Sequence, residues 1–262
     1  MSLPWLALAL LAADGGGGLR IEGSVAAGGG YDSSLLLAAG GVAAGSTVAT
    51  VAASAGVAFD LGGEASLYLG ARADGATFAA LSALDRTGAG AEASLSWPIA
   101  DGLALVVAPS AGWSWYADPG RSGASASARA TLRARPWPAL VLRAGYAHLL
   151  RTAADPVHAG EADRVYGAVE LRLAPGTWLG LAASAERGDQ AFYREIPATS
   201  AEPASWEAYR APATEVGGAL TLWVELGHGL SLDLTAALKR VSGEGTVLSG
   251  PALGAALAWR WD

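Results

Sequence analysis

The 262-residue chain contains no cysteine, and only 16% of its residues are charged. The lack of cysteine excludes a disulfide framework, a thiolate metal site and a cysteine nucleophile. Basic residues are also in deficit: 17 Lys+Arg face 24 Asp+Glu, a formal charge of −7, which argues against nucleic-acid binding. Charge is sparse while 52% of residues are hydrophobic and the mean hydropathy is +0.32, the opposite of a disordered chain. Such a composition would suit helical membrane proteins, yet beyond the N-terminus no run approaches the roughly 18 apolar residues a spanning helix needs. The chain is membrane-like in bulk and lacks a membrane helix.

What is present is alternation. After an apolar run from Leu3 to Ala13, Asp14 and four glycines follow. That run has the length of a signal-peptide core, so residues 1–13 are expected to be a signal peptide, 14–18 a flexible segment and 19–262 one domain. From Leu19 the period is two: Leu19, Ile21, Gly23 and Val25 alternate with Arg20, Glu22 and Ser24. The same pattern recurs near 47–61, 65–74, 88–97, 103–116, 124–134, 139–148, 164–173, 178–186, 214–226, 230–239 and 249–261. Twelve strands of about 9–14 residues are long for globular proteins and suit a tilted membrane crossing.

Charge obeys the same parity. The apolar parity of the twelve segments carries no Asp, Glu, Lys or Arg. The other parity carries Arg20, Glu22, Asp60, Arg72, Asp74, Glu92, Arg129, Arg133, Arg143, Arg164, Glu170, Arg172, Glu186, Glu215, Glu225, Asp233, Lys239 and Arg260. Nine are positive and nine negative, a balanced set. In a membrane barrel the apolar face meets lipid and the charged face lines the lumen. The gaps alternate short and long, the short ones being LGGE, PIADG, RPWP, APGT and GHG, each with a turn-forming Gly or Pro. Aromatics of the apolar parity fall toward two rims: Phe59, Trp97, Trp259 and Trp261 at one, Tyr31, Trp113, Trp115 and Tyr146 at the other. The expected fold is all-β: a transmembrane antiparallel up-and-down barrel of about twelve strands, with short periplasmic turns and longer extracellular loops. Pro109, inside the fifth segment, predicts a β-bulge there.

In these features the chain resembles Gram-negative outer-membrane β-barrel proteins. Its last segment, with Leu253, Ala255, Leu257, Trp259 and Trp261 alternating, is similar to the final strand that the barrel-assembly machinery reads in that family, although Asp262 follows the aromatic. The stretch Gly30-Tyr31-Asp32-Ser33-Ser34 resembles one in barrels linked to surface-lipoprotein assembly modifiers, which have Asn where Ser34 stands. The resemblance implies an outer-membrane location, contact with lipid and lipopolysaccharide, and the assembly machinery as a partner during insertion.

Chemistry offers little else. The histidines are His148, His158 and His228. His228 reads as a turn residue, and His158 shares a loop with Asp155, Glu161 and Asp163 in no ligand spacing. His148 faces outward near a rim, where outer-membrane phospholipases place a catalytic histidine, but the His-x-Ser pattern is missing from His148-Leu149-Leu150. No enzyme activity, metal or cofactor is expected. The expectation is a channel or small-solute transport barrel. The alternatives are a structural or surface-interaction barrel with a plugged lumen, and a lipid-active enzyme near His148. The lumen charges read either as a selectivity zone or as structural pairs. The stretch 187–213, with mixed charge and four aromatics, reads as a ligand contact or a constriction folded into the lumen.

Overall fold

The computed structural model describes residues 18–37, 43–196, 205–243 and 246–261. The expected signal peptide and Asp262 lie outside the described residues. Twelve strands follow one another: β1 (Leu19–Leu37), β2 (Ala43–Gly62), β3 (Ala65–Phe78), β4 (Arg86–Ala100), β5 (Leu103–Tyr116), β6 (Gly123–Trp137), β7 (Leu140–Arg151), β8 (Gly160–Ala174), β9 (Thr177–Ile196), β10 (Ser205–Gly227), β11 (Leu230–Gly243) and β12 (Thr246–Trp261). Each pairs antiparallel with its chain neighbours, and β1 pairs with β12 to close the barrel. No helix among the described residues is long and apolar enough to cross a membrane. Alanine and glycine are poor strand formers in water. In lipid every backbone polar group must find a partner within the protein, so the closed ladder itself holds such residues extended.

Burial is inverted. The buried hydrophobic residues are mostly alanines, while Leu19, Ile21, Trp137, Leu181 and Leu238 are each at least 60% exposed. At about 25 cal/mol for each Å² of apolar surface, an exterior of this kind is costly in water and favourable in hydrocarbon. The outward parity stays free of charge over the twelve predicted segments. The strands run longer than predicted and add Glu161, Asp163, Arg187, Asp189, Arg210 and Arg240 to that parity at their ends.

The five short turns all carry a register shift at their strand ends, as at Asp60/Gly62 and Glu225/Gly227. The Gly227-His228-Gly229 turn holds three consecutive positive φ values of 100°, 53° and 75°, a conformation that non-glycine residues rarely adopt. Turns also bond to the next hairpin, Arg260 N–H donating to the Gly229 carbonyl at 2.9 Å and Glu225 N–H to that of Gly176 at 2.7 Å. The bulge predicted at Pro109 is absent. Ala108, Pro109 and Ser110 pair without a shift to Arg129, Ala128 and Ser127. The missing N–H is absorbed on the β4 side, where the ladder passes from Glu92↔Ser110 to Leu95↔Val107 in one register.

Partners followed round the wall from Ser46 on β2 pass through Asp32, Ala252, Ala237, Ala219, Ala182, Ala168, Arg143, Arg133 and Ala104 to Pro98. The path begins at the loop rim and ends at the turn rim, a stagger of about 16 residues round the full circuit, which with twelve strands gives a tilt of about 45°.

The β1–β12 seam is closely packed. A Cβ at Gly30 would stand 2.1 Å from the Leu253 carbonyl oxygen, itself part of the ladder, whereas one at Gly217 would meet nothing nearer than 3.4 Å. Gly30→Val is therefore expected to prevent closure and Gly217→Ala to be tolerated. Heat-modifiable gel mobility of the refolded variants checks this, and a normally closed Gly30→Val barrel would contradict the seam geometry.

Candidate functional site

The inward face is fixed by side chains that meet across strand pairs. Ser24 and Ser54 share a hydrogen bond at 2.9 Å, Ser110 and Ser127 another at 2.9 Å, and Thr131 bonds Tyr166. The eighteen charges of the polar parity lie on this same face by register. The structure adds Asp32, Arg86, Arg135, Arg151, Arg194 and Glu207 to it, because the strands extend beyond the predicted segments.

The set is balanced in sum and segregated in space. Three adjacent strands, β6 to β8, carry Arg129, Arg133, Arg135, Arg143, Arg151, Arg164 and Arg172 inward, with Glu170 as their acid. Arg143 donates to Glu170 at 3.1 Å, and Glu170 is 5% exposed. Arg164 donates through Nε to Glu186 on β9 at 2.7 Å. Arg133 lies directly opposite Arg143 in the β6–β7 ladder, two like charges on one pair. The remaining wall is mostly acidic. Asp74 is bridged by Arg86 at 2.5 Å, Asp32 by Lys239 at 3.6 Å, and Glu22 by Arg20 at 3.8 Å. Arg260 lies over the Trp223 ring, 5.7 Å from its centroid, with Asp233 the cross-strand partner of that Trp. Arg72, Glu92 and Glu215 complete the predicted set on this side, Glu215 opposite Glu186.

Alternation marked the charges but missed the inward aromatics Tyr68, Tyr166, Trp178 and Trp223. A signal was available in their neighbours. A Cβ at Gly56 would meet the Tyr68 ring at 2.6 Å, one at Gly70 the Tyr68 hydroxyl at 2.3 Å, and one at Gly145 the Tyr166 hydroxyl at 2.5 Å, so these glycines are the floor on which the rings lie. A separate band of the lumen is lined by single methyl groups, Ala182, Ala219, Ala237 and Ala252 being successive cross-strand partners.

At the loop rim the stretch 187–213 is a continuation of β9 and β10 over its described residues, where the sequence suggested a loop. It folds inward. Phe192, 1% exposed, packs on Ala211, Ala213, Val241 and Leu248, with Tyr209 stacked on it at 5.8 Å. Since Leu248 belongs to β12, the cluster joins β9 to a strand three positions away. The reverse face of the same hairpin, which lower in the wall points to lipid, is also covered. Tyr193 accepts a hydrogen bond from Arg121, in the single-turn 3-10 helix Pro119–Arg121. Arg210 donates to the Pro156 and Ala159 carbonyls at 3.5 Å, across the turn Pro156–His158. The two loops are themselves joined, Asp155 N–H donating to Gly120 O at 2.8 Å. The hairpin thus narrows the outer mouth with packing on both faces.

Of the girdle residues, Tyr31, Trp97, Trp113, Trp115, Trp259 and Trp261 are exposed on the outward face and Phe59 is half-buried; Trp259 and Trp261 stand 5.0 Å apart. Tyr146 lies near the middle of β7, not at its rim, because β7 continues to Arg151. Its hydroxyl donates to Asp163, which also bonds His148 Nδ1 at 2.9 Å. His228 is a turn residue whose carbonyl accepts from Trp259 Nε1 at 3.1 Å. Among the described residues no group of His, Asp and Glu is arranged to hold a metal ion.

Burial lowers the His158 imidazole pKa below its ordinary 6.5, and Arg121 and Arg151 lower it further, while Asp155 and Asp118 act in the opposite sense. A depressed value favours the neutral ring in the packed mouth. That contribution is present above pH about 6.5 and is lost as pH falls through the folded value. Amide protection at Ala154 and Asp155, corrected for intrinsic exchange, is expected to fall between pH 7 and 5. In His158→Gln it should stay flat, and an equal fall in that variant would remove His158 from the account.

No family model matches the sequence, and no curated protein matches it. Solved structures do. An outer-membrane channel from Pseudomonas putida F1 superposes with a TM-score of 0.62 at 9% identity, covering 95% of this chain and 99% of that one. The KdgM porin gives 0.51 at 7% identity over 92% and 99% of the two chains, and the NanC porin 0.51 at 10% over 90% and 98%. At such identities the likeness is one of fold. Together with the apolar exterior it makes the chain a twelve-stranded transmembrane β-barrel of the outer-membrane type.

Proposed function

We propose that the barrel is a channel for small solutes across the outer membrane, and that it is not an enzyme. The observation that carries this reading is the exposure of Arg129. Its side chain projects inward from the middle of β6, between partners Ala108 and Ala147, yet it is solvent-accessible. An exposed guanidinium at mid-wall leaves room for water in the lumen beside it. Polar inward faces on all sides, with methyl-lined stretches between charged ones, suit passage of hydrated solutes. The inward hairpin narrows the outer mouth, and it also favours the second reading, a barrel plugged there for a structural or surface role. The lipid-active reading has less support. His148 is held by Asp163, but no hydroxyl nucleophile among the described residues bonds to it. In this proposal lipid and lipopolysaccharide surround the apolar belt, and the barrel-assembly machinery takes the β12 end during insertion.

Planar-bilayer recording of the refolded protein tests the channel. Steady conductance is expected. In Phe192→Ala combined with Arg121→Ala it should rise, because both faces of the hairpin lose their packing. A correctly folded barrel that stays silent in both forms would overturn the channel and leave the plugged reading.

A further inference from the structure

We infer that the solutes are anions bearing carboxylate or phosphate groups, carried along the arginine strip of β6 to β8; this rests on the channel reading and specifies its cargo. Structural pairing does not account for the strip. Arg143 and Arg164 each have a carboxylate in contact, but Arg129, Arg133, Arg135, Arg151 and Arg172 have none within 4.0 Å among the described residues. Four of these five, Arg133 excepted, are solvent-exposed. Acidic residues are available on β10 to β4, and the fold places them on the other side. The bore is therefore crossed by a field running from a basic wall to an acidic one, and a narrow low-dielectric passage focuses such a field.

The register also orders the strip in depth. Arg151 stands at the loop end of β7 and Arg164 near that of β8. Arg129 lies at mid-wall, Arg143 and Arg133 below it, and Arg172 and Arg135 approach the turn rim. An oxyanion passing one guanidinium meets the next before reaching the far side, which gives several weak sites in place of one tight site. The central step is the Arg133–Arg143 pair. Like charges placed opposite each other are destabilising unless something neutralises them, and Glu170 bonds Arg143 through one Nη. The Nε of Arg143 is buried without a hydrogen-bond partner. Two planar guanidinium groups, one of them with an unpartnered N–H, match the forked geometry of a carboxylate or phosphate.

Two measurements test this. Under a tenfold KCl gradient the reversal potential should show chloride passing in preference to potassium. In Arg129→Glu with Arg172→Glu that preference should fall by about threefold or invert. Separately, calorimetric titration of inorganic phosphate into the detergent-refolded barrel should give binding that Arg133→Gln abolishes, with heat-modifiable mobility confirming that each variant is closed. Cation preference, or a preference unmoved by the double variant, overturns the inference while leaving the channel standing. Phosphate binding without current in any form defeats the channel and keeps the anion site. Absence of both overturns the two together.

Discussion

A backbone in hydrocarbon has no water to bond to, and every other property of this barrel follows from meeting that demand. The ladder must close on itself, so β1 must reach β12, and at Gly28 and Gly30 the seam where they meet leaves no room for a side chain. Once closed, the ladder needs no apolar core. Side chains are freed from packing and sorted by a single rule, inward or outward. That is why Leu, Val and Trp are exposed and Ala is buried, and why a composition with so little charge still carries a densely charged interior.

Closure also dictates which inward residues become neighbours. With strands tilted by about 45°, residues at one depth come from positions displaced along successive strands. Glu170 meets Arg143 and Glu186 meets Arg164 through the ladder, while Asp32 finds Lys239 across the β12 strand. The acid–base pairs hold local order. The imbalance between β6–β8 and the rest of the wall is a property of the whole barrel, since it appears only when three strands are compared with nine.

Much of this was legible in the sequence. Alternation of apolar and polar residues identified twelve strands, their inward faces and the five tight turns, because a period of two is a direct image of a strand's two faces. Strand ends were harder to see. Beyond the apolar band, hairpins such as 187–196 with 205–213 need no lipid-facing alternation, so Arg187, Asp189 and Arg210 resembled a loop. The inward fold of that hairpin rests on the cluster that gathers Phe192 with Val241 and Leu248, residues far apart in sequence with no local signature. Charge balance was visible and charge separation was not, since alternation tells which face a residue takes but not which strands stand opposite. At Pro109 the local rule predicted an extra residue, whereas a gap in one neighbouring ladder sufficed.

The band of alanines from Ala182 to Ala252 has one more consequence. Strand number and stagger set the diameter of the backbone cylinder, but the free bore is whatever the inward side chains leave. Where each of four neighbouring strands contributes one methyl group, the calibre of the passage is adjustable in increments of single carbon atoms, at positions that do not touch the ladder. A barrel of this kind can be refitted for larger or smaller cargo without being refolded.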